Sequence, residues 1–140
     1  MTLCPQLRRL SARHARWLAD GRRRRGRSVD VQCALLLAAW DQEMNAHCRA
    51  EEEVLLPELT RHVPETDALV VFTLGDHVVL RRLARELRVA GDAARPAALA
   101  RFLEKLEEHF RFEERTLIPV LQETIGCDRL ASLADEMARW

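Results

Sequence analysis

Two thirteen-residue stretches carry the side chains best suited to chemistry in this sequence. Residues 47 to 59 read HCRAEEEVLLPEL, and residues 109 to 121 read HFRFEERTLIPVL. Seven paired positions are identical, and each copy places a histidine four residues ahead of a glutamate. On an α-helix that spacing puts both side chains on one face, about 6 Å apart along the axis. His47 with Glu51, and His109 with Glu113, can therefore point together into a helical core. His14 and His77 lie 63 residues apart, close to the 62 that separate His47 from His109. Each half of the chain thus offers one helix with a histidine, a turn, and a helix with HxxxE. Two such hairpins packed against each other would gather four imidazoles and two carboxylates at one level.

A buried carboxylate without a partner is costly, and a buried imidazole needs both nitrogens satisfied. A pair of divalent cations removes that difficulty by making every group a ligand, with each glutamate able to bridge ions about 3.5–4 Å apart. Imidazole with carboxylate suits iron, and equally manganese or zinc, better than calcium. The predicted ligand set is His14, His47, Glu51, His77, His109 and Glu113.

The elements that must hold these residues read as helices throughout, because apolar positions recur at three and four with no useful strand alternation. A first helix is expected from about Pro5 to Asp20, followed by a turn at residues 21 to 28, GRRRRGRS. Ser28 then caps a second helix, which carries Cys33, Leu37, Trp40, Met44 and His47 and kinks or stops near Pro57. Thr66 or Asp67 caps a third helix with Val70, Thr73, Leu74, His77 and Leu80. After a turn over residues 90 to 97, a fourth helix from roughly Pro96 to Leu121 presents Leu99, Phe102, Leu106 and His109. Gly126 opens a short C-terminal helix. The expectation is all-α: an antiparallel up-down four-helix bundle with a short extra C-terminal helix, forming a single domain over residues 1–140.

These motifs resemble the hemerythrin-like HHE cation-binding domain family. The resemblance rests on His14, on HxxxE with Glu52 and Leu56-Pro57, on His77, and on HxxxEE with Pro119, and it spans nearly the whole chain. It implies two iron ions with a bridging oxo or hydroxo group. It also implies that His14 and His47 bind one iron, that His77 and His109 bind the other, and that Glu51 and Glu113 bridge them. Oxygen-carrying hemerythrins have HxxxH on the third helix, whereas Thr73 occupies the corresponding position here. Each iron would then have about five ligands and room for an exogenous one. That suits peroxide decomposition, nitric oxide binding or sensing as well as dioxygen carriage. The implied partner is a small molecule: dioxygen, peroxide or nitric oxide. An iron or oxygen sensor without turnover, or a metal-free helical interaction module, is the alternative.

Other residues are assigned plainer roles. Glu52, Glu53, Glu108 and Glu114 read as a solvated acidic rim, with Glu43 and Glu114 as reserve ligands. Trp17, Trp40, Phe72, Phe102 and Phe110 read as core packing, His62 as surface, and the arginine run at 22 to 25 as a solvated turn. The net charge is zero, so no nucleic acid is expected. No stretch reaches the roughly 18 apolar residues of a membrane span, and the N-terminus lacks a secretory signal. Four cysteines without a CxxC pair are expected to be reduced thiols in a cytoplasmic protein. A homodimer is compatible with the patterning, Trp140 being the residue most able to pack on another copy. The carboxylate di-iron proteins that use ExxH are excluded, because no histidine here has an acidic residue three positions before it.

Overall fold

The computed structural model describes residues 2–140 and is helical, with no strand among the described residues. Helix α1 runs Pro5–Arg24, α2 spans residues 29–59, α3 runs Ala68–Val89, α4 spans residues 95–125, and α5 (Cys127–Ser132) and α6 (Ala134–Met137) are short. Asp67 Oδ1 accepts from the Leu69 N–H at 2.9 Å, and Ser28 Oγ accepts from the Val31 N–H at 3.2 Å, so both expected caps form. The first turn is shorter than the sequence suggested. Helix α1 continues through Arg22, Arg23 and Arg24, where cations are favourable against the C-terminal end of the helix dipole.

Neither long helix stops at its proline. Just before Pro57 and Pro119 the helix widens into a π-turn: the Leu56 N–H reaches back five residues to the Glu51 carbonyl, and the Ile118 N–H does the same to Glu113. A proline ring crowds the carbonyl four residues earlier, and a widened turn gives it room. The extra residue advances the helix phase by about 100°. Leu55 and Leu56 are accordingly both buried, as are Leu117 and Ile118. A third π-turn lies at Trp40–Met44. Helix α4 ends at Gly126, whose φ of 81° is open to glycine and strained for other residues.

The apolar core is divided in two. One cluster holds Trp40, Met44, Leu80, Phe102, Leu106 and Phe110; the other holds Leu7, Leu10, Leu59, Leu117, Leu121 and Leu130. Along each long helix the predicted metal-binding residues lie between the two, as with His14 between Leu10 and Trp17. The second cluster is closed by the chain ends. Cys4 and Cys127 are joined by a disulfide, with Cα atoms 5.3 Å apart. This corrects the expectation of four reduced thiols: the pairing spans 123 residues, which no local motif could signal. It also removes the thiol argument for a reducing compartment. Gln122 adds to the closure, accepting from the Cys4 N–H at 2.7 Å and donating to the Thr2 carbonyl at 3.0 Å.

Two apolar assignments fail. Phe72 and Leu74 are 55% and 40% exposed, because Thr73 and His77 define the inward face of α3 and these two lie off it. Trp140 is covered within the chain on one side, its ring lying under the Arg49 guanidinium at 4.1 Å. No helix is long and apolar enough to cross a membrane.

Candidate metal centre

All six predicted side chains converge, and each is at most 1% exposed. Helix α1 supplies His14, α2 supplies His47 and Glu51, α3 supplies His77, and α4 supplies His109 and Glu113. Two groups of donors form, each with all its ligand atoms within 4.8 Å of one another: His14, His47, Glu51 and Glu113 in one, and Glu51, His77, His109 and Glu113 in the other. Both glutamates therefore belong to both groups. His14 Nε2 lies 2.8 Å from His47 Nε2, and His47 Nε2 lies 2.8 Å from Glu51 Oε1. Glu51 Oε2 faces His77 Nε2 at 3.1 Å, and Glu113 touches His109 Nε2 through Oε1 and approaches His14 Nε2 at 3.6 Å through Oε2.

His14 and His47 share a hydrogen bond, but the contacts made by the carboxylates are close without being satisfied hydrogen bonds. Both oxygens of Glu51, Oε1 of Glu113, and Nε2 of His77 and His109 lack a partner of correct geometry. Buried polar atoms are rarely left so. A cation midway between the atoms is what such a donor set fits. The buried charges also perturb one another. Burial pushes the Glu113 carboxyl up, and the neighbouring Glu51 adds to this. Burial would do the same to Glu51, but His47 and His77 together hold it well below its ordinary value. Burial opposes a charged His109, yet hydrogen bonds to Asp76 and Glu113 raise the imidazole to about 9.

The outer nitrogens of the rings are treated unequally. His14 Nδ1 is placed to donate to Glu114 Oε1 at 2.7 Å, and the Ser11 hydroxyl fixes the other oxygen of that carboxylate at 2.7 Å. His109 Nδ1 points at Asp76 Oδ2 at 2.9 Å, with Lys105 Nζ 2.7 Å from Oδ1. His77 Nδ1 has Glu52 Oε1 at 3.4 Å, and Arg81 clamps both Glu52 oxygens at 2.5 and 2.8 Å. Neither His77 Nδ1 nor His47 Nδ1 has a hydrogen-bond partner, so Glu52 acts on His77 through its charge alone.

Glu114 braces the His14 imidazole, and Glu52 is half-buried and held by Arg81 beside His77, which corrects their reading as a solvated rim. Glu43 is not in the layer; it accepts from Trp17 Nε1 at 2.9 Å and from Arg16 Nη2 at 2.8 Å. Thr73 is fully buried, but its hydroxyl donates to the Leu69 carbonyl at 2.7 Å. His62 is exposed, as expected. Asp76 was missed, although an acid directly before a core-facing histidine, about 100° round the helix, was a usable signal. Cys48 is buried beside His77 and His109, its thiol pushed up to about 11 by burial, and it forms a further three-residue group with those histidines.

An all-helical bundle with a buried layer of four imidazoles and two shared carboxylates defines a class, the helical bundles whose core side chains could hold metal cations. The chain belongs to the hemerythrin family: the Hemerythrin HHE cation binding domain matches residues 2–137. No curated protein and no solved structure matches it.

Proposed function

We propose that this protein is a non-haem di-iron protein that binds or reduces a small oxidant, namely dioxygen, hydrogen peroxide or nitric oxide. The observation that carries the reading is the sharing of Glu51 and Glu113 between two donor groups of equal composition. In this reading His14 and His47 hold one cation, His77 and His109 hold the other, and the two carboxylates link them. Iron so held supplies one-electron chemistry toward small oxidants. The chain's own contribution is to fix the imidazoles through Glu114 and Asp76, and to exclude bulk water with the apolar clusters above and below the layer. Thr73 supports the assignment of an exogenous ligand. It stands where a further imidazole would fill a coordination position, and its hydroxyl is already spent on Leu69.

The deciding measurement is metal content together with an absorption spectrum before and after anaerobic reduction. About two iron per chain is expected, with near-ultraviolet bands that reduction bleaches. Peroxide and nitric oxide assays then separate turnover from binding. A chain purified metal-free from metal-replete medium, or one whose Glu51→Ala variant keeps full metal content, would overturn the proposal.

A further inference from the structure

The basic run that closes α1 plays no part in the donor layer. Arg22, Arg24 and Arg25 enter no ion pair among the described residues, whereas Arg16, Arg23, Arg81, Arg88 and Arg95 each do. The three lie round the mouth of a cavity of about 90 Å³. Its inner wall is apolar, formed by Trp17, Leu36, Met44, Leu106 and Phe110. Across the mouth, Arg111 is engaged with Glu107 at 2.5 Å, the only carboxylate on the rim. An apolar cavity under a collar of uncompensated guanidinium groups is not explained by the helix dipole, which attracts cations but makes no pocket.

We propose that this cavity binds a short-chain amphiphilic carboxylate, its tail against Trp17, Leu36, Met44 and Phe110 and its head on Arg22, Arg24 and Arg25. Guanidinium groups pair with carboxylates through parallel N–H···O bonds, stronger than those between neutral groups. The tail must be slender, because a cavity of roughly 150 Å³ is what accommodates benzene. A space of about 90 Å³ therefore takes an aliphatic chain of roughly four carbons. The tail ends against the rings that wall the donor layer. Phe110 stacks on His14 with centroids 4.9 Å apart, and Trp17 meets His47 edge-on at 5.0 Å. The cavity is separated from the imidazoles by those rings, so this site stands whether or not the metal reading holds.

The test is calorimetric titration of the full chain, metal-free and metal-loaded, with straight-chain carboxylates from acetate to octanoate. Affinity should rise about fourfold per methylene over the first few carbons, then level once the cavity is full. The combined variant R22Q/R24Q/R25Q should bind at least tenfold more weakly with an unchanged melting temperature, because Arg22 and Arg25 are exposed and Arg24 is half-buried. Leu103→Trp, which fills the mouth, should abolish the chain-length dependence; if it fails to fold, the arginine variant and the chain series still decide. Affinity that is flat from acetate upward, or unchanged in the arginine variant, overturns the proposal. So does binding to anionic lipid vesicles with no binding of the free acids.

Discussion

On the proposed reading of two cations, the unequal bracing of the imidazoles predicts two sites of unequal affinity. The group containing His77 and His109 has Asp76 on one outer nitrogen at 2.9 Å and Glu52 near the other at 3.4 Å. The group containing His14 and His47 has Glu114 on one and nothing on the other. Partners of this kind typically change metal affinity 10–100-fold. Glu52 makes no hydrogen bond to His77 Nδ1 and acts only through its charge, so the lower end applies, and the His77/His109 site should load about tenfold more tightly, or ~1.4 kcal/mol. Replacing Asp76 by alanine removes the stronger brace from that site and leaves Lys105 without its carboxylate. Its affinity should then fall by roughly 10–100-fold, erasing or reversing the order of loading. Anaerobic titration of the metal-free chain with ferrous iron or zinc, followed calorimetrically, should show two resolved steps in the wild type. In Asp76→Ala the steps should merge or exchange, with two cations still bound at saturation. Two indistinguishable steps in both proteins would refute the reasoning. A variant that still folds but binds no cation would refute it too, because a positioning residue should weaken one site rather than destroy both.

Three further outcomes rest on other parts of the fold. Reducing the Cys4–Cys127 bond, which spans 123 residues, should lower stability by about 2–4 kcal/mol, read as a fall in denaturation midpoint that a Cys4→Ser variant shows without reductant. Phe102 is fully buried, so Phe102→Ala should cost about 3–5 kcal/mol through the cavity it leaves, measured by urea unfolding of the metal-free protein. Arg129 donates to both oxygens of Glu58 at 2.8 and 3.0 Å and, against the opposing effect of burial, holds that carboxyl below its ordinary value. A depressed carboxyl stabilises above its unfolded value, about 4.3, and loses that effect as pH falls through the folded value. The melting temperature of Arg129→Gln should therefore lie below that of the wild type by a constant margin above about pH 5, and the margin should close in stronger acid.

The convergence of His47, Glu51, His109 and Glu113 was legible in the sequence because HxxxE uses only local helix geometry, and the repeat doubled the signal. His14 and His77 became readable from their matching offset. What stayed hidden depends on tertiary packing or on helix phase. The π-turns begin at Glu51 and Glu113, so a uniform 3.6-residue count misplaces the residues after them, among them Glu52 and Glu114. Asp76 reaches His109 on another helix, and Arg129 reaches Glu58 across 71 residues, relations that no spacing rule contains. Phe72 was assigned inward from its apolarity alone, and its neighbour Thr73 occupies that direction instead.

Because each donor group draws on both hairpins, the polar layer cannot be completed until the second hairpin exists. A ribosome adds about 5–20 residues per second, so the 62 residues between His47 and His109 correspond to about 3–12 s of synthesis. Throughout that interval the nascent chain carries half of the layer, its three polar side chains still hydrated. Completion of the layer is thereby tied to synthesis of the second hairpin, and a chain truncated before His109 would form neither four-residue donor group.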